Sequence, residues 1–199
     1  MIAIIDYGAG NLASVKNALD KLGVKSKITD KASDIMAADK VIFPGVGSFG
    51  DVMNALKERK LIDAIKKVID SKPFLGICLG MQVLFEESEE SAGVKGLSVF
   101  KGKVRRFKSK TLKIPQIGWN SINIKKKESV LDGVKDGSYF YFVHSYYIDP
   151  SDKDMILTTT DYGVEFVSSI AKDNVIGMQF HPERSGEIGL KILENFVKL

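Results

Sequence analysis

Cysteine and histidine are the scarcest chemistry in this chain: one cysteine, Cys78, and two histidines among 199 residues. A single thiol excludes an internal disulfide and a multi-thiolate zinc site, which points to a reducing compartment and leaves Cys78 needing a reason of its own. No apolar stretch approaches the ~20 residues of a membrane-spanning helix, and the opening Met1-Ile2-Ala3-Ile4-Ile5 turns acidic at Asp6 without a basic leader or cleavage site. A soluble, cytoplasmic chain with no membrane partner is expected. An excess of one charge is missing too. The 29 Lys and Arg against 25 Asp and Glu leave +4, too little to make nucleic acid the default partner. No internal repeat, low-complexity segment or linker divides the chain, whose length suits one α/β domain. Hydrophobic residues, at 44%, suffice for a sizeable core and place the chain outside the composition of disordered proteins.

Strand and helix signals alternate through the first half. Strands are predicted at 2–6, 25–28, 41–43 and 74–77, and helices from about Leu12, near Ala32, over about 50–70 and after residue 77. That alternation predicts a mainly parallel sheet covered by helices. In the first helix Leu12, Val15, Ala18, Leu19 and Leu22 fall at helical spacing behind Asn11, a favoured N-cap. From Leu97 onward strands follow one another, at 99–107, 117–124, 139–148, 156–160, 164–170 and 175–180, and an antiparallel extension of the parallel core is the simplest arrangement. Ser185 is placed to cap a closing helix whose Ile188, Ile192, Leu193, Phe196 and Val197 share a face.

The most informative segment is Phe74-Leu75-Gly76-Ile77-Cys78-Leu79-Gly80-Met81-Gln82. An apolar strand runs into Cys78 and then into a helical pattern, with glycine two residues before and two after. This is the thiol form of the nucleophile elbow, where small neighbours let the backbone turn sharply enough to expose the nucleophile at the sheet's carboxyl edge. A helix N-terminus there would favour the thiolate. Most lone cysteines are buried hydrophobes, but the strand, both glycines and the helix together favour a nucleophile. Its base is sought between two histidines. His181, at the end of a predicted strand, has Glu183 two residues on, which in extended backbone shares its face and can orient the imidazole. His144, in Tyr141-Phe142-Val143-His144, has no adjacent acid and reads better as a hydrogen-bonded structural or interface histidine. Pro44-Gly45-Val46-Gly47-Ser48 supplies a glycine-rich loop on the same sheet edge, whose N–H groups, with that of Leu79, could meet an oxyanion.

Two rival readings exist. Gly8-Ala9-Gly10-Asn11-Leu12-Ala13, with Asp30 twenty residues after Gly10, satisfies a dinucleotide-binding fingerprint, although it leaves the elbow and His181 unexplained. The run Lys101, Lys103, Arg105, Arg106, Lys108, Lys110 and Lys113, interleaved with Phe100 and Phe107, and the triplet Lys125-Lys126-Lys127 suit a phosphate track. More often such residues form the solvated face of a strand.

Together these motifs resemble the class I (triad) glutamine amidotransferases, over nearly the whole of 1–199 as one flavodoxin-like domain. Ile5-Asp6-Tyr7-Gly8-Ala9-Gly10-Asn11, Gly118-Trp119-Asn120, Tyr141-Phe142-Val143-His144-Ser145-Tyr146 and His181-Pro182-Glu183-Arg184-Ser185 are similar to the branch whose ammonia serves histidine biosynthesis. The resemblance implies that Cys78 attacks the side-chain carboxamide of L-glutamine, with His181 moving protons and Glu183 orienting it. It implies that Gly45, Gly47, Leu79, Gln82 and Glu90 hold the substrate, and that Trp119, Tyr141 and His144 lie toward a partner. That partner is a (β/α)8 synthase subunit, forming a heterodimer that makes imidazole glycerol phosphate and aminoimidazole carboxamide ribotide. No cofactor or metal is expected. Amidotransferase subunits serving pyridoxal phosphate, anthranilate or aminodeoxychorismate synthesis share the glutaminase chemistry and are the nearest alternatives. Glu90, within Glu86-Glu87-Ser88-Glu89-Glu90, reads equally as part of a solvated helix end.

Overall fold

The computed structural model describes all 199 residues, Met1–Leu199. The first half contains β1 (Ile2–Ile5), α1 (Leu12–Lys21), β2 (Ser26–Thr29), α2 (Ala32–Ala37), β3 (Lys40–Gly45), α3 (Phe49–Glu58), α4 (Ile62–Ile69), β4 (Phe74–Cys78) and α5 (Leu79–Gln82). The second half contains β5 (Glu87–Ser88), β6 (Gly102–Arg106), β7 (Gln116–Ser121), β8 (Asn123–Ile124), β9 (Tyr139–His144), β10 (Tyr146–Pro150), β11 (Ile156–Asp161), β12 (Glu165–Lys172), β13 (Val175–Met178) and α6 (Gly186–Lys198).

Five parallel strands in the order β2-β1-β3-β4-β13 form the heart of the main sheet, the flavodoxin-like order, in which ligands bind beyond the carboxyl ends of the strands. From β13 the sheet continues antiparallel through β12, β10 and β6, while β11 pairs with β12 and β8. β1 and β4 are buried at every residue because helices cover both faces, so these strands are apolar without interruption. Alternate side chains feed two cores. Val41, Phe43 and Phe74 pack beneath Val52, Leu56 and Ile65 of α3 and α4, whereas Ile2, Ile4, Leu75 and Ile77 pack beneath Val15 and Leu19 of α1 and Ile192 and Phe196 of α6.

The predicted parallel half is observed; the second half is not one continuous extension. The 139–148 stretch breaks at Ser145, whose carbonyl accepts from Phe107 N–H at 3.1 Å. β9 lies in a separate two-stranded antiparallel ribbon with β7, while β10 joins the main sheet. The 117–124 stretch likewise divides into β7 and β8 around the buried Ile122. The helix expected after residue 77 is the single turn α5, because Val83 and Leu84 leave the helical path to accept from the N–H groups of Leu97 and Val99. No helix is long and apolar enough to cross a membrane.

Candidate active site

Strand β4 ends at Cys78, whose backbone lies at φ 54°, ψ −113°, a strained conformation for a residue with a Cβ. The turn is made possible by its neighbours. A Cβ on Gly80 would stand 1.9 Å from the Phe43 carbonyl oxygen, and one on Gly76 would stand 2.7 Å from that of Gly80. Both glycines are therefore required by close packing of the elbow onto β3 and onto its own strand. Gly45, the last residue of β3, pairs with Cys78, which brings the Gly45–Gly47 loop to the same edge.

β13 runs parallel to β4 with Gly177 opposite Gly76, so the chain leaving β13 delivers His181 to the carboxyl end beside Cys78. Glu183 follows in a 3-10 turn, Pro182–Arg184. The extended backbone expected there is absent, yet the turn brings the two side chains together, with His181 Nδ1 donating to Glu183 Oε1 at 2.8 Å. Both side chains are buried, His181 Nε2 has no hydrogen-bond partner, and Asn11 Nδ2 donates to Glu183 Oε1 at 3.3 Å. Burial pulls the His181 pKa down, but the Cys78 sulfur and the Glu183 carboxylate outweigh it, and the pKa is pushed up to about 10. The imidazole therefore holds a proton at neutral pH.

A cavity of about 260 Å³ opens over this group, lined by Gly45, Gly47, Cys78, Leu79, Gln82, Glu90 and His181. Every residue assigned to catalysis or substrate lines it except Glu183, which is buried behind His181 and reaches the site through that imidazole. Glu90 is in a turn rather than on a helix end, and its Oε2 accepts from Phe49 N–H at 2.7 Å, a favourable place for a carboxylate at the start of α3. Burial raises its pKa against that hydrogen bond. Tyr7 reaches the loop from β1: its hydroxyl donates to the Val46 carbonyl at 2.9 Å and accepts from Val46 N–H at 2.8 Å. Burial above all pushes the Tyr7 pKa up to about 12, so the hydroxyl stays neutral and able to do both.

Trp119, 55% exposed, packs edge-on against Tyr141 on the β7–β9 ribbon, with Ile117 and Tyr139 exposed beside them. His144 does not share that face. It has the opposite parity to Tyr141 on β9, is buried, and lines the cavity with both ring nitrogens engaged, Nδ1 by the Tyr146 carbonyl at 2.7 Å and Nε2 by Gln116 at 3.0 Å. Burial depresses its pKa to about 4, so the ring is neutral. Because Nδ1 donates to the carbonyl, Nε2 must accept and Gln116 must present its NH2.

Neither predicted cap bonds as a cap. Asn11 is drawn to Glu183, while Ser185 Oγ donates to the His181 carbonyl at 2.6 Å and accepts from Tyr141 N–H at 3.0 Å. Sequence reasoning thus missed Asn11, Tyr7 and Gln179 as parts of the site. Only Gln179 carried a signal, two residues before His181. The glycine motif at 8–13 does not offer a dinucleotide cradle: Arg59 lies 2.8 Å from where a Gly8 Cβ would stand and pairs with Asp30 at 3.1 Å. Two members of the basic run are ion-paired at the surface, Lys103 to Glu87 at 2.6 Å and Arg105 to Asp149 at 2.7 Å, and Lys125 and Lys126 of the triplet pair with Glu165 and Glu128. A larger cleft of about 660 Å³ at the amino end of β13, near Lys101 and Asn174, contains no cysteine or histidine.

The model of the family described as glutamine amidotransferase class-I matches residues 3–199. The chain belongs to this family. A curated relative from Methanocaldococcus jannaschii, named imidazole glycerol phosphate synthase subunit HisH, is 54% identical to this amidotransferase, with all of both chains covered. Relatives of the same name from Pyrococcus furiosus, 54% identical over 100% of this chain and 98% of theirs, and Chlorobaculum tepidum, 50% identical over 100% of both, match similarly. Among solved structures, a glutamine amidotransferase superposes with TM-score 0.77 at 17% identity over 100% of this chain and 98% of that one. PurLQS from Thermotoga maritima superposes with TM-score 0.76 at 19% identity, covering 99% and 97%. At those identities the superpositions establish the amidotransferase fold.

Proposed function

We propose that this amidotransferase is the glutaminase subunit of an imidazole glycerol phosphate synthase of histidine biosynthesis. It releases ammonia from L-glutamine and passes it to a (β/α)8 synthase subunit within a cytoplasmic heterodimer. The observation that carries the reading is the pair Cys78 and His181 at one cavity, with buried Glu183 bonded to His181, in a chain whose full-length relatives bear the HisH name.

In this reading the Cys78 sulfur attacks the carboxamide carbon of glutamine, and the carbonyl electron pair moves to oxygen. Leu79 opens α5, so its N–H has no partner within the helix and is a donor for that oxyanion; an N–H of the Gly45–Gly47 loop is the second. Protonated His181 gives its proton to the amide nitrogen, the C–N bond breaks and ammonia departs, leaving a γ-glutamyl thioester. Water then attacks the thioester as His181 takes up its proton, and glutamate leaves. Gln82 and Glu90 offer acceptors for the carboxamide and ammonium ends of the substrate.

The exposed Ile117, Trp119 and Tyr139 with Tyr141 form the synthase-facing surface. Its strand β9 also passes the nucleophile, the Val143 carbonyl lying 3.9 Å from Cys78 Sγ, so ammonia has little protein to cross. Free ammonia escapes or protonates, so hydrolysis must wait for a competent partner. The Val46 N–H, turned to Tyr7, fits a subunit held idle until that partner reorients the loop, whose glycines permit it.

The test is product formation from the ribulosyl phosphate substrate by this chain mixed with the synthase subunit. Wild type is expected to work with glutamine or ammonium, and Cys78→Ser with ammonium only. Synthesis from ammonium but not glutamine by wild type would move the assignment to another amidotransferase synthase. Equal loss of both activities in the variant would indicate failed assembly.

A further inference from the structure

Gln179 is fully buried between β13 and His181, in a place where an apolar side chain would avoid the cost of burying an amide. Its polar atoms are satisfied in one direction. Gln82 Nε2 donates to the Tyr146 carbonyl at 3.0 Å and to Gln179 Oε1 at 2.9 Å, and Gln179 Nε2 donates to Cys78 Sγ at 3.4 Å. The orientation of both amides follows from one atom. A backbone carbonyl only accepts, so Gln82 must turn its NH2 toward Tyr146. That same NH2 faces Gln179, which must answer with its oxygen, and the remaining end of Gln179, its NH2, is left against the sulfur. The Tyr146 carbonyl is itself held by His144 Nδ1 at 2.7 Å. Gln82 lines the cavity, and its Oε1 is not among the buried atoms left without a partner, which leaves that oxygen open to the cavity.

We propose that Gln179 is a positioning residue of the glutaminase centre, serving both ends of the reaction through one amide. Its NH2 favours the anionic form of Cys78, and its oxygen locks Gln82 so that an acceptor, not a donor, meets the NH2 of the substrate carboxamide. The first role stands in for the dipole of a long helix, which the single turn of α5 does not supply. The second makes the site select a carboxamide over a carboxylate, since glutamate would set oxygen against oxygen. The inference deepens the glutaminase reading and rests on Cys78 being its nucleophile.

Two substitutions separate the roles. Gln179→Leu removes both; Gln179→Glu keeps an oxygen for Gln82 but sets a carboxylate oxygen against the sulfur. Cys78 is the only cysteine, so the pH profile of alkylation by iodoacetamide reports it alone, in the isolated chain and without glutamine. KM and kcat for glutamine are measured with the synthase subunit present. Loss of a hydrogen bond to a charged sulfur is worth about tenfold or more. Gln179→Leu should slow alkylation at neutral pH by that factor, shift the profile to higher pH and raise KM about tenfold. Gln179→Glu should slow alkylation further, lower kcat and leave KM near wild type. A folded variant with the wild-type alkylation profile overturns the proposal, as does an equal rise of KM in both. Failure of both variants to fold would make Gln179 a core residue and overturns it too. Should Cys78→Ser retain glutamine-dependent synthesis, the glutaminase reading itself fails, whatever the alkylation profiles show.

Discussion

Glu183 Oε1 accepts from His181 at 2.8 Å and from Asn11 at 3.3 Å, while Oε2 is buried without a partner. The carboxylate's charge therefore acts chiefly on the imidazole, and the carboxylate is among the groups that raise His181 above its ordinary value of 6.5. Glu183→Gln keeps the shape and removes the charge. Glutamine-dependent synthesis should fall by about 10²- to 10⁴-fold, the range of a lost acid-base contribution, with ammonium-dependent synthesis unchanged. The alkaline limb of the pH-rate profile should move to lower pH; an unmoved limb would mean that Glu183 holds geometry only. Cys78, His181 and Glu183 were legible in the sequence because elbow glycines and a two-residue spacing are local signals. Asn11 was not. An asparagine before a helix can cap it or bond elsewhere, and only the packing of α1 against the Pro182–Arg184 turn, 172 residues away in sequence, decides.

Tyr7, just beyond β1, joins that strand to the loop after β3 through the two hydrogen bonds between its hydroxyl and the Val46 peptide. While they last, the Val46 N–H is spent. Tyr7→Phe removes the hydroxyl and leaves the ring packed at 5.7 Å on Phe43. At about 1 kcal/mol net for each of the two neutral hydrogen bonds, glutamate release by the isolated chain should rise by up to about 30-fold, and stimulation by the partner should shrink correspondingly. No change in the isolated chain would show that the Val46 peptide is not what restrains it. The parallel elements were legible to within a residue or two because strands covered on both faces are unbroken apolar runs. The antiparallel half was less so. Residues 139–148 are apolar and aromatic on either side of Ser145, and the break there follows from pairing with Phe107, which no local pattern encodes. The β7–β9 ribbon also violates polar-out alternation, because its outward side chains suit a second chain rather than water.

At the scale of the whole molecule that ribbon separates binding from folding. Trp119 is 55% exposed, so Trp119→Ala should leave urea stability within about 0.5 kcal/mol while weakening association with the synthase subunit by about 2 kcal/mol, as for a buried aromatic anchor. Equal affinity in a titration of the two subunits would remove Trp119 from the interface. The two histidines, the only ones in the chain, give stability opposite dependences on pH. His181, raised from 6.5 to about 10, contributes stability that is complete below 6.5 and is lost as pH rises through about 10. His144 is lowered from 6.5 to about 4, mainly by burial. Below 6.5 the unfolded chain takes up a proton that folded His144 refuses, so stability falls as pH drops toward 4. From pH 6.5 to about 5 the His181 contribution is constant and most carboxylates remain ionised, which leaves the slope to His144. At 1.36 kcal/mol per pKa unit, it costs about 2 kcal/mol over that interval. Urea unfolding of His144→Gln, which retains a donor for Tyr146, should lose that slope whatever its absolute stability. Glu90, whose pKa burial raises, opposes the loss equally in both proteins and cancels in the comparison. A variant as acid-sensitive as wild type would mean that His144 takes up its proton without leaving the fold, and the depressed pKa would not be the source of the loss.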